Sequence, residues 1–220
     1  MLRLHGRPDH FVQYVEATGT QHVDTGVVGR CNSAMEAHVM WVEVSDACFC
    51  GARMDNDNTR FNLYGCNTQH WMGHRTYTRS TDSTVEGSVP ESPTVVRSTA
   101  VPDYVSSCIS SDGTEVSYWM DVNGTRRIDQ TRTEQGIDTG LDMYLFAQNK
   151  TGAPVLNSKV RCYDVKIVQD GVLVRDFRPC IKDGRVMFYD NVSKTMFKPY
   201  PAITATKDRY GRGGLAVIMS

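Results

Sequence analysis

The chain has 220 residues, with 24 Lys and Arg against 25 Asp and Glu and a formal net charge of −1. That balance leaves no electrostatic footprint for nucleic acid or an anionic membrane surface, and no apolar run approaches the roughly 20 residues of a membrane helix. Hydrophobic residues make up 40% and aromatics 9%, enough to fill the core of one large β-sandwich.

The N-terminal run MLRLHGRPDHF carries Arg3, His5, Arg7 and His10 and lacks the apolar centre of a signal peptide. Residues 1–12 read as an arm, 13–200 as one domain and 201–220 as a tail, in a chain expected to be made in the cytoplasm. Cys48 and Cys50 lie two apart in a predicted strand, which puts them on one face as small core residues. Joined to Cys66, His70 and His74 they would form a zinc site. Structural zinc sites open with a CxxC knuckle rather than CxC, so the reading is buried thiols and surface histidines. Seven cysteines, odd in number and irregular in spacing, argue for free thiols rather than a disulfide framework. Asp55 and Asp57, in the run Asp55-Asn56-Asp57-Asn58, are candidate calcium ligands. The run lacks the glycine and distal glutamate of an EF-hand loop, and a plain solvated turn is the simpler reading. No other cofactor is expected.

Residues 78–102 are rich in Ser, Thr, Pro and Val; Pro90, Pro93 and Pro102 suit a long connection with at most an edge strand. Strands follow at 107–111 and 115–122, joined through Asp112-Gly113, and Asn123-Gly124 makes the next hairpin. Val116, Tyr118, Met120 and Val122 form an apolar face in that second strand, leaving Trp119 among polar residues. A strand at 160–168 alternates from Tyr163 onward, with Tyr163, Val165 and Ile167 on one face and Asp164 and Lys166 on the other. Asp170-Gly171 supplies the positive-φ pair of a tight hairpin, and 172–177 returns until Pro179 ends the strand. Asp183-Gly184 turns again into 185–189. Helix is nearly absent, and strands joined by hairpins and longer returns make an all-β, antiparallel two-sheet jelly-roll sandwich.

The run KVRCYDVKIVQDGVLVRDFRPC followed by GRVMFYDNVSKTMF, with YVEATGTQHVDTGV and CFCGARMDNDNTRFNLYG ahead of it, resembles concanavalin A-like, laminin-G-like jelly-roll domains. Such domains occur in virion proteins of gut phages and in gut-bacterial surface proteins. The resemblance implies a phage virion component on a capsid or tail, made in the host cytoplasm, with the bacterial cell surface as the alternative. Its partners would be other virion subunits or a second copy, and cell-surface glycan, with no nucleic acid and no membrane insertion.

Jelly-roll glucanases of this kind carry paired acids on one strand, in an E-x-D-x-x-E arrangement. Here Glu43 and Asp46 fall on opposite faces, and Glu115 and Asp121 share a face about 20 Å apart, far beyond the carboxyl separations of glycosidases. No catalytic residue is therefore assigned, and the module is expected to be non-enzymatic, with a glycoside hydrolase-like enzyme as the less favoured alternative. Glycan binding would use aromatic platforms, for which Trp119, Trp71, Tyr64 and Tyr77 are the candidates. In the tail, Leu215, Val217 and Ile218 belong to an uncharged, β-prone tip behind a glycine-rich link, suited to adding a strand to its own sheet edge or to a neighbouring subunit.

Overall fold

The computed structural model describes residues 3–42, 47–54, 60–66, 71–77, 79–80, 83–84, 103–111, 115–133, 138–201, 206–208 and 216–219. Every regular element among them is a strand. In chain order these are β1 (Arg3–His5), β2 (His10–Phe11), β3 (Val15–Thr18), β4 (Val23–Arg30), β5 (Ser33–Trp41), β6 (Ala47–Arg53) and β7 (Arg60–Cys66). There follow β8 (Trp71–Tyr77), β9 (Arg79–Ser80), β10 (Ser83–Thr84), β11 (Asp103–Ser111), β12 (Glu115–Val122), β13 (Thr125–Thr133) and β14 (Asp138–Leu145). The last are β15 (Gln148–Lys150), β16 (Ala153–Val155), β17 (Lys159–Gln169), β18 (Val172–Lys182), β19 (Arg185–Asp190), β20 (Thr195–Phe197), β21 (Thr206–Asp208) and β22 (Ala216–Met219).

All but β9 and β10, which pair with each other, form the two layers of a jelly roll. The larger sheet runs β1-β20-β19-β18-β17-β5-β11-β12-β13, with β2 and β3 added at β18 and β17 and the β21–β22 pair beyond β3. The smaller runs β16-β15-β6-β14-β4, and β7 and β8 extend it from β6. Three hairpins of the larger sheet turn on Asn123-Gly124, Asp170-Gly171 and Asp183-Gly184, all six residues at positive φ. That conformation matches the twist of the flanking strands and explains the Asx-Gly pairs in the sequence.

Alternation decides what is buried. Along β4 every second residue from Val23 is buried, and along β5 Ser33, Met35, Ala37 and Val39 are. Between the layers, aromatic rings meet edge to face: Phe49 with Phe146 at 5.9 Å, Phe177 with Phe188 at 6.3 Å and Phe177 with Phe197 at 4.9 Å. Phe146 and Phe188, 5.7 Å apart, join the smaller sheet's aromatics to those of the larger. Side chains of the larger sheet also close the outer edge of β4. Arg175 donates from Nε to Thr25 O (2.9 Å) and from Nη2 to Gly26 O (3.3 Å), and Gln169 Nε2 donates to Val28 O (2.6 Å).

Several expectations change. Pro179 lies inside β18 rather than ending it, opposite Phe188. Its carbonyl faces β2, accepting from Val12 N at 3.1 Å. Its nitrogen therefore faces the place where β17 has left and β2 begins, and the missing N–H breaks no rung with β19. The stretch 1–12, read as an arm, contributes β1, paired with β20, and β2, paired with β18. Cys48 and Cys50 are both fully buried, but a register shift between them breaks the simple alternation expected for the pair. The five cysteines with described side chains, Cys31, Cys48, Cys50, Cys162 and Cys180, are free thiols. Burial pushes the Cys180 thiol up to about 12, against a hydrogen bond from the Tyr189 backbone. Val217 and Ile218 pair in parallel with Val15 and Glu16 of β3 in the same chain.

Candidate functional site

The outer face of the larger sheet follows from the same alternation. With Met35, Ala37 and Val39 buried, Glu36 and His38 of β5 point away from the core. On β17 the buried set is Val160 and Cys162, then Val165 and Ile167. The phase changes because Cys162 faces Val39 and Asp164 faces His38, leaving Tyr163 as the extra residue of a bulge. The bulge turns Tyr163 out of the core, where uninterrupted alternation had placed it, and against His38.

Four rings then form a column across four segments of chain. Tyr104 of β11 stacks on His38 at 3.8 Å and 16° between planes, and His38 stacks on Tyr163 at 4.6 Å and 26°. Tyr163 meets Tyr14 at 5.3 Å, and the Arg161 guanidinium lies 4.9 Å from the Tyr14 ring centre. The two rings in the middle, His38 and Tyr163, are partly buried. Tyr104 closes the column at the other end and is 59% exposed. It is held by the turn beside it: Tyr104 N donates to Asn123 Oδ1 at 2.9 Å, and Asn123 N donates to Tyr104 O at 2.8 Å. Asp121 and Arg126, an ion pair at 2.5 Å, flank that turn.

Charged groups line the column. Arg161 Nε donates to Glu16 Oε2 at 2.6 Å, Lys166 pairs with Glu36 at 3.6 Å, and His38 Nδ1 lies 3.7 Å from Asp164 Oδ2. Burial holds the Asp164 carboxyl above its ordinary range, against the pull of His38, Lys166 and Arg178. Burial likewise raises the Tyr163 hydroxyl, opposed by Arg161. Beyond Asp164 the face continues onto β18 and β19, where exposed Arg178 stands opposite Tyr189 and 5.4 Å from the Phe11 ring centre. A flat apolar ring ringed by carboxylates, a guanidinium and amides suits a ligand with an apolar C–H face and many hydroxyls.

A second aromatic group lies on the outer face of the smaller sheet. His22 stacks on Tyr144 at 4.7 Å and 25°, and lies 5.8 Å from Tyr200. Burial lowers the His22 imidazole below its ordinary range, against Asp24. The His22 Nδ1 atom is buried and has no hydrogen-bond partner among the described residues.

The aromatic candidates chosen from sequence do not converge on one sheet. Trp119 is in β12 of the larger sheet, in register with Cys108 and Asp129. Trp71 and Tyr77 are in β8 and Tyr64 in β7 of the smaller, where Trp71 faces Cys66 and Tyr77 faces Arg60. Asp55, Asp57 and Leu215 lie outside the described residues. The sequence reading missed Tyr14, His38 and Tyr104, which meet only through the long-range register of β5 with β11 and β17. The one local signal was the alternation of β5, which sets His38 apart from Ala37 and Val39.

No protein-family model and no curated protein matches the chain. Among solved structures it is similar to the CBM40 of the Ruminococcus gnavus IT-sialidase bound to α2,3-sialyllactose, with a TM-score of 0.49 and 12% identity over 77% of this chain and 92% of that one. A second structure of that CBM40 gives a TM-score of 0.49 and 13% identity over 77% and 94%. β-Agarase A from Zobellia galactanivorans gives 0.32 and 11% over 86% and 72%. At these scores the likeness carries no argument about ligand or activity, which rest on the geometry of this chain alone.

Proposed function

We propose that the chain is a non-enzymatic, glycan-binding jelly-roll module that holds its ligand on the outer face of the larger sheet. The observation that carries this reading is the end of the aromatic column. Tyr104 is 59% exposed, fixed by Asn123 and bordered by the Asp121–Arg126 pair. A sugar ring packed there would extend the column by one member, and its hydroxyls would meet carboxylate, guanidinium and amide groups. The carboxylates of the column already have partners, Glu16 in Arg161, Glu36 in Lys166 and Asp164 in His38, which favours holding a ligand over cleaving it. The reading calls on no metal. We extend it to the setting that the sequence resemblance implies, a phage particle or, alternatively, a bacterial surface, where such a face would meet cell-surface glycan.

Binding to a broad glycan panel tests the proposal. Tyr104→Ala should weaken binding at least tenfold, about 1.4 kcal/mol, with an unchanged thermal melt and no effect of a chelator on the wild type. No reducing ends should appear on prolonged incubation. A panel without a binder, or binding indifferent to Tyr104→Ala, would refute the site. Turnover abolished by replacing a single Asp or Glu would refute the non-enzymatic reading. Mass spectrometry of purified particles, set against surface fractions of the host cell, decides the setting.

A further inference from the structure

Among the described residues on the outer face of the larger sheet, several charges are matched in ion pairs. Arg161 has Glu16 at 2.6 Å and Lys166 has Glu36 at 3.6 Å. Arg178 is exposed, lies over the Phe11 ring at 5.4 Å, and has no carboxylate within ion-pair distance and no hydrogen bond among the described residues. A guanidinium resting over a ring leaves its planar fork of N–H donors free. That geometry suits two-point recognition of a carboxylate or another oxyanion.

Its place on the face is set by register. Tyr104 faces His38, and His38 faces Asp164. The ladder that pairs Val165 with Phe177 brings Asp164 alongside Arg178 when continued by one residue, and the Arg178 charge acts on the Asp164 carboxyl. Three strand spacings therefore separate Tyr104 from Arg178, about 14 Å, wider than one sugar ring. Between them stand His38 and Asp164, already engaged with each other at 3.7 Å.

Resting on the glycan-binding reading, we propose that the ligand is an acidic oligosaccharide: one sugar ring packs on Tyr104 while a carboxylate or sulfate on another, a few sugars along, is read by Arg178. The chain of the ligand would cross the strands of β11, β5, β17 and β18 rather than end in a pocket.

Matched pairs of oligosaccharides test this: oligogalacturonate against its methyl ester, and a sulfated galactan oligomer against the desulfated form. The acidic member of at least one pair should bind at least tenfold more tightly, and which pair responds tells carboxylate from sulfate. The preference should shrink in high salt. Arg178→Gln should abolish the preference while leaving neutral binding and the thermal melt unchanged. Arg178→Lys, which keeps the charge without the fork, should restore only part of it. Tyr104→Ala should weaken both members alike. Neutral members that bind as well as acidic ones, or a preference that survives Arg178→Gln, would overturn the inference while Tyr104-dependent binding leaves the glycan reading standing. A wild-type protein that binds neither member of either pair, nor any other glycan, would overturn both.

Discussion

His22 and Asp164 are both partly buried ionisable groups, and they respond to pH in opposite directions. The imidazole of His22 is held below its ordinary value of 6.5 by burial. As pH falls below that value the unfolded chain takes up the proton before the folded one does, so acidification favours unfolding. The melting temperature should fall from pH 7.5 to pH 5, and His22→Gln should fall less over the same interval; equal slopes would show that other groups carry the loss. Asp164 is shifted upward from 3.8, chiefly by burial, so its charged form is the one the fold disfavours. Its contribution to stability is present below the unfolded value and lost as pH rises through the folded one. Asp164→Asn should therefore melt at or slightly above the wild type at pH 7, with the difference closing toward pH 3. A variant that melts lower at pH 7 would mean that the contact with His38 outweighs the cost of burial.

The hairpins show which part of an element is written locally. Asp170 at φ 51° and Gly171 at φ 76° form the turn expected from two adjacent residue types. A Cβ on Gly171 would meet no heavy atom within 4 Å, so only backbone strain opposes Gly171→Ala. We expect a loss of about 1 kcal/mol, read from chemical denaturation, and an unchanged stability would show that the turn relaxes freely. The β17 bulge is the opposite case. The reading of 160–168 as one strand, alternating from Tyr163 onward, puts Tyr163 with Val165 and Ile167; the change of apolar phase after Cys162 does not by itself say which residue is extra. The bulge is defined by Cys162 and Asp164 facing adjacent residues of β5, far away in sequence. Hence the two-sheet class and most hairpins were legible, while the column of Tyr104, His38, Tyr163 and Tyr14 was not. Pro179 misled for a related reason: whether a missing N–H matters depends on which neighbour the nitrogen faces.

Across the whole molecule, two features decide how its sheets are closed. The tail strand β22 covers β3 at Val15, Glu16 and Ala17. Removal of residues 206–220 should leave a folded sandwich that melts lower and self-associates more, because a row of backbone groups loses its partners. Sedimentation that instead shows a full-length oligomer dissociating on truncation would assign Leu215, Val217 and Ile218 to assembly, as the sequence suggested. Arg175 is the second feature. Beside its bonds to β4, its guanidinium lies 3.8 Å from Asp190, which is fully buried. Asp190 also accepts from Asp176 N at 2.9 Å and from Ser193 Oγ at 2.6 Å. Arg175→Ala should cost about 3 kcal/mol in chemical denaturation, since it leaves a buried carboxylate without its cation and carbonyls without donors. A loss below about 1 kcal/mol would show that water replaces the guanidinium.

The seam made by Arg175 and Gln169 also bears on force. On the proposed binding face, a ligand anchored to a surface would pull on the larger sheet, and that load would reach the smaller one through whatever joins the layers. Apolar packing between layers resists separation but slides with little directional resistance. The bonds from Arg175 to Thr25 and Gly26 and from Gln169 to Val28 are directional, spread along one strand, and must break together when the layers shear. The module is thus riveted along one margin. Under tension, yielding should begin at the opposite margin of the smaller sheet, where β15 and β16 are three residues each.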